Sequence, residues 1–205
     1  MTTDTDSGLP LWRSDSETRW REALDSYEAV VDRQGVAALG ELDRWVRLEL
    51  PARITSRPEP HVTLEELARV TRWKMARGVW RARNLTLVEG NDPEVVVAVS
   101  REALAAIPDP RRPIDLLARL KGVGPATASA VAAAAAPETY PFFDELVAEQ
   151  IPGFGEVGFT LPYYLRYAEA IRRRAEELGG DWNAVRVERA LWSHSGGKAA
   201  RAGRR

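Results

Sequence analysis

Apolar residues recur along most of the chain at helical rather than strand spacing. Between Ser16 and Arg33, Trp20, Leu24, Tyr27, Val30 and Val31 fall at i, i+4, i+7, i+10 and i+11, one face of a helix that Gly35 stops. A second amphipathic run, Leu39, Leu42, Trp45, Val46 and Leu48, ends near Pro51, and residues 53–62, with Pro58 and Pro60, read as a connector. Thr63-Leu64-Glu65-Glu66 has the form of a capping box, opening a helix that runs to about Arg77 and breaks at Gly78. Further helices are predicted over 81–89 and from Asn91-Asp92-Pro93 through Ala106. After a loop punctuated by Pro108, Pro110 and Pro113, others follow near 114–120, 125–136, 142–150, 163–178 and 181–194. The one short alternating stretch, Val95–Val99, fits a buried helix face equally well. The pattern predicts an all-α protein, with a disordered lead over 1–14 and a flexible basic tail over 196–205.

Composition narrows the chemistry. The 205 residues include no cysteine and two histidines, His61 and His194. Disulfides, thiol catalysis and cysteine-ligated zinc or iron–sulfur sites are thereby excluded, and histidine metal sites are disfavoured, so no metal or cofactor is expected. No apolar run approaches the roughly 18 residues that span a bilayer, and the N-terminus lacks the layout of a signal peptide. A soluble, cytoplasmic protein is the expectation. The net charge of −1 is unevenly placed: −5 over residues 1–50, +2 over 51–100, −2 over 101–150 and +4 over 151–205. Arg72, Lys74, Arg77, Arg81 and Arg83 form a run of cations without an acid between Thr71 and Val88. Such a run is either a solvated face or a phosphate-contacting surface.

One segment carries more information. In Leu120-Lys121-Gly122-Val123-Gly124-Pro125-Ala126-Thr127-Ala128 an apolar helix stops, two glycines turn the chain, and proline opens a second helix. Glycines leave backbone N–H groups uncovered, and a helix N-terminus adds unpaired donors and partial positive charge. A hairpin of this kind can hold a phosphate through main-chain amides, with a hydroxyl from Thr127 and a charge from Lys121. By contrast, the glycines at 153, 155 and 158 form a G-x-G-x-x-G string with no βαβ unit around it, and read as a loop.

The hairpin resembles that of the helix-hairpin-helix DNA glycosylase superfamily. The small-residue helix Ala128–Ala136, then Pro141 and Asp144, follow in the family's order and spacing, and Gly78-Val79-Trp80-Arg81 is similar to its upstream helix start. The resemblance covers about residues 63–150. It implies an all-α fold of two helical lobes with a cleft between. Residues 63–150 would be the core; 15–62 and 151–195 would build the second lobe. It implies duplex DNA as partner, no membrane, a monomer and a nucleoid-associated location. Asp144 would be the catalytic carboxylate of a monofunctional base-excision glycosylase. Lys121, Gly122, Val123, Gly124, Ala126 and Thr127 would bind DNA with Arg72, Lys74, Arg77 and Arg81, and Trp73, Trp80, Tyr140 and Phe143 would line a pocket for a damaged base such as an alkylated one. Ala126 stands where bifunctional members carry lysine, so strand cleavage is not expected. No glutamine-containing helix is recognisable in residues 15–62. Two rivals stay open: a non-catalytic DNA-binding module of the same fold, and an RNA- or protein-binding helical domain in which the hairpin is only a tight turn. An Asp144 enclosed by a cleft favours the enzyme; an Asp144 capping a helix on a closed surface favours the binding module.

Overall fold

The computed structural model describes residues 10–202, and these form helices and loops without a strand. In chain order the helices are α1 (Glu17–Asp25), α2 (Tyr27–Asp32), α3 (Leu39–Arg44), α4 (Leu50–Thr55), α5 (Leu64–Arg77), α6 (Ala82–Glu89), α7 (Pro93–Ala105), α8 (Arg112–Leu117), α9 (Pro125–Ala135), α10 (Glu145–Ala148), α11 (Leu161–Leu178), α12 (Ala184–Ser195) and α13 (Gly197–Ala202). No helix among the described residues is long and apolar enough to cross a membrane.

Local chemistry explains most boundaries. Thr63 caps α5 through the anticipated box: its hydroxyl accepts from the Glu66 amide at 3.2 Å while the Glu66 carboxylate accepts from the Thr63 amide at 2.9 Å. Asp92 caps α7 ahead of Pro93, accepting from the amides of Glu94 and Val95.

Several expectations are corrected. The first long helix breaks at Ser26 into α1 and α2. The second run does not end near Pro51; a π-helical turn over Trp45–Glu49 leads into α4, whose first turn tolerates the proline. Residues 142–144 are extended and only 145–148 are helical. Within the lead, Leu11–Arg13 is a 3-10 turn with Leu11 buried; residues 1–9 lie outside the described part. The tail forms α13, held by a hydrogen bond from the Ala199 amide to the Gln34 side chain and one from Lys198 to the Gly78 carbonyl. Residues 203–205 lie outside the described part.

One continuous apolar core joins elements from both ends of the chain, including Trp20 and Tyr27 from the N-terminal helices, Leu67 and Val70 of α5, Val131 of α9, Tyr164 and Ile171 of α11, and Leu191 and Trp192 of α12. The middle helix α9 is almost wholly small, with Ala128, Ala130, Ala132 and Val131 buried. A helix apolar all round is an interior helix, and its alanines let α4, α5 and α8 pack close against it.

Candidate functional site

The hairpin lies between α8 and α9. Gly122 turns it with φ of +75°, and its α-carbon rests against α6: a β-carbon there would lie 2.6 Å from the Asn84 carbonyl oxygen and 2.9 Å from the Val88 nitrogen. Glycine is therefore required both by the left-handed backbone and by the close approach. Asn91 fastens the turn from within. Its Oδ1 accepts from the Lys121 amide at 2.9 Å, while its Nδ2 donates to the carbonyls of Lys121 at 3.0 Å and Val88 at 2.8 Å. Val123 points into the core.

What remains faces outward. Gly124 is exposed and caps α9 with an extended backbone; a β-carbon there would meet nothing within 4 Å. The amides of Gly122, Gly124, Ala126 and Thr127 have no hydrogen-bond acceptor among the described residues, and Pro125 has no N–H. Lys121 is exposed beside them and forms no ion pair among the described residues. Thr127 is buried and its hydroxyl lacks a partner among the described residues, so it is not an exposed phosphate contact.

The upstream cations divide. Arg81 is exposed; Arg72 is half-buried and paired with Glu89. Burial and the neighbouring Arg81 lower the pKa of Lys74. Arg77 is only 2% exposed and belongs to the interior. Its guanidinium is ion-paired with Glu188, donates to the Tyr27 hydroxyl at 3.3 Å and lies 4.3 Å from the centre of the Trp192 ring. Its placement at the phosphate surface is thereby corrected.

Asp144 is drawn into the same cluster. Its Oδ1 accepts from the Leu146 amide at 2.8 Å, making it the N-cap of α10, and its Oδ2 lies 3.2 Å from Arg77 Nε, an ion pair without hydrogen-bond alignment. It is 8% exposed. Burial raises its pKa despite Arg77, and burial likewise pushes Glu188 up to about 7. Two carboxylates share one cation, so neither is fully compensated. Burial opposes the charge on Arg77, yet Glu188 foremost, then Tyr27 and Asp144, hold it firmly protonated.

Three of the four aromatics expected in a base pocket are interior. Trp73 donates to Asp43 at 3.0 Å and packs on Phe142; Tyr140 donates to the Asp109 carbonyl at 2.7 Å; Phe143 stacks among Tyr163, Tyr164 and Tyr167. Trp80 alone is exposed, at 56%.

A cleft of about 380 Å³ opens elsewhere, between the α4 region, the C-terminal half of α9 and the start of α12; Trp73, Phe142, Arg77 and Glu188 line it, and Asp144 does not. Two residues that matter were not anticipated. Asn91 read only as part of a helix start. Glu188 sits among Ala184, Val187 and Leu191, and a lone carboxylate on that apolar face of α12 was a usable signal. Among the described residues no cluster of three potential metal-ligating side chains occurs. No family model, curated protein or solved structure matches the chain.

Proposed function

We propose that the chain is a helix-hairpin-helix module that binds the DNA backbone and does not perform base excision. The observation that carries this reading is the exposed turn at Gly124, with unpartnered amides around it and Lys121 alongside. Such an arrangement suits a phosphate: amides without an acceptor are free to donate to its oxygens, the α9 terminus contributes partial positive charge, and contacts of this kind read no base edge. Asn91 and the Gly122 contact hold the turn in shape before the ligand arrives, which lowers the ordering cost of binding.

Asp144 argues against the glycosylase alternative. A carboxylate that stabilises a developing sugar cation must face that sugar. This one faces Arg77, caps α10 and lies outside the cleft lining.

Fluorescence anisotropy with a duplex oligonucleotide across a salt series tests the proposal. Binding is expected to weaken with salt, and Lys121→Ala to reduce the slope of log K against log salt by about one. Absence of salt-sensitive binding removes the reading. Duplexes carrying single altered bases, treated with alkali after incubation, supply the second arm. Alkali-labile product from the wild type and none from Asp144→Asn would establish the glycosylase instead.

A further inference from the structure

The cleft at the far end of α9 has a charge pattern the hairpin does not explain. Its lining contains four guanidiniums, Arg47, Arg77, Arg186 and Arg189, against one carboxylate, Glu188. Three are satisfied internally: Arg47 by Asp43 and Glu28, Arg77 by Glu188 and Asp144, and Arg186 by Asp181. Arg189 is not. Among the described residues its side chain forms no ion pair and no hydrogen bond; the guanidinium carbon lies 5.8 Å from the centre of the Tyr27 ring, and Glu188 and Asp43 favour its charge only from beyond ion-pair distance. It is nonetheless withdrawn from solvent enough for desolvation to lower its pKa. A cation held partly out of water without a directly paired carboxylate is costly. The N-terminus of α12 and the C-terminus of α9 both reach the cleft, so their partial charges oppose one another and the guanidiniums decide its sign.

We propose that this cleft is a binding site for a small organic anion, a carboxylate or phosphate monoester on a compact apolar body, with Arg189 as its ion partner. Val46, Val185, Phe142 and the alanines of α9 provide the apolar wall. The volume of about 380 Å³ lies near the lower end of ligand pockets, room for one ring and its charged group. The site is separate from the hairpin: α9 spans 11 residues, about 16 Å at 1.5 Å per residue, with the hairpin at its start and the cleft along its second half.

The experiment titrates the full chain with benzoate, phenyl phosphate and inorganic phosphate, read by calorimetry and by amide chemical shifts. Benzoate or phenyl phosphate is expected to bind with Kd below about 1 mM. Inorganic phosphate alone should bind more weakly, since it leaves the apolar wall bare. Whichever organic probe binds better distinguishes a carboxylate from a phosphate ligand. Arg189→Gln should weaken that probe about tenfold or more, and Ala133→Leu, which narrows the cleft without altering charge, should do the same. Neither change should alter affinity for duplex DNA. Failure of both organic probes to bind the wild type, or equal binding by Arg189→Gln, overturns the proposal, as do shifts confined to the hairpin. The circular dichroism and melting of each variant are compared first. If Arg189→Gln is unfolded, Ala133→Leu decides alone.

Discussion

The two glycines of the hairpin do different work, and substituting each by alanine separates fold from ligand. At Gly122 an added methyl pays twice. The φ of +75° places alanine in the left-handed region, which costs about 1–2 kcal/mol. The new carbon would also stand 2.6 Å from the Asn84 oxygen, 2.9 Å from the Leu87 β-carbon and 2.9 Å from the Val88 nitrogen. Two of these are backbone atoms of α6, which cannot swing aside, so overpacking adds about 1–3 kcal/mol. Gly122→Ala is expected to lose about 2–5 kcal/mol, a sizeable part of a stability of about 5–15 kcal/mol. Urea unfolding followed by tryptophan fluorescence measures it, and Tm should fall by about 4–20 °C. At Gly124 the backbone is extended and nothing lies within 4 Å, so the same substitution should leave stability within about 1 kcal/mol. Its methyl projects into the space a phosphate would occupy, and DNA affinity should fall about tenfold or more. A Gly122→Ala protein as stable as wild type would refute the packing argument. A Gly124→Ala protein with full affinity would refute the amide grip.

Other substitutions probe the interior. Arg77→Met leaves Glu188 and Asp144 buried without their cation and should cost about 3–5 kcal/mol in urea unfolding. Glu188 has its pKa raised from 4.5 to about 7 by burial, so the fold favours its protonated form. Its contribution is therefore full below pH 4.5 and lost as pH climbs to about 7, on the order of 3 kcal/mol in total. Glu188→Gln should flatten that falling limb of the stability–pH curve; an unchanged limb would assign it to other groups. Asn91→Ala strands the Lys121 amide and the carbonyls it served, costing about 1–3 kcal/mol and loosening the hairpin, seen as faster amide exchange at Lys121 and Val123.

The helical class, the capping box at Thr63 and the glycine turn were legible because each depends on residues within one or two turns of the chain. The breaks at Ser26 and the continuation through Pro51 were not, since both are permitted locally and decided by packing. Asp144 at the head of a helix was readable; that it faces Arg77 was not, because the partner comes from α5 and a further acid from α12. Yet α5 did carry a hint. Leu67, Val70, Trp73 and Arg77 share one helical stripe, so the pattern that marked a core face also put one member of the cation run on it. Reading the five cations by charge alone hid this division between the interior Arg77 and the exposed Arg81. The tail departs from its flexible expectation for a related reason: a basic, glycine-rich composition says nothing of Gln34, which receives α13 from the other end of the chain.

The alanine-rich α9 runs from the hairpin to the cleft. Its small side chains contribute little individual burial energy, about 0.8 kcal/mol per buried methylene at most, so the sequence gains little from alanine as a hydrophobe. What alanine provides is proximity. With Ala128, Ala130 and Ala132 buried, neighbouring helices approach its backbone closely, and α5 brings Arg77 to meet α12 and Asp144. The same small residues leave the hairpin end uncrowded, where the amides of Gly124 and Ala126 have no acceptor among the described residues, and leave volume at the other end, where Ala130, Ala133 and Ala134 line the cleft. A leucine-rich α9 of equal helical propensity would bury more area, but it would push away α4, α5 and α8, which pack on it, and fill the cleft. Alanine along this helix therefore trades burial energy for two surfaces that larger residues would cover.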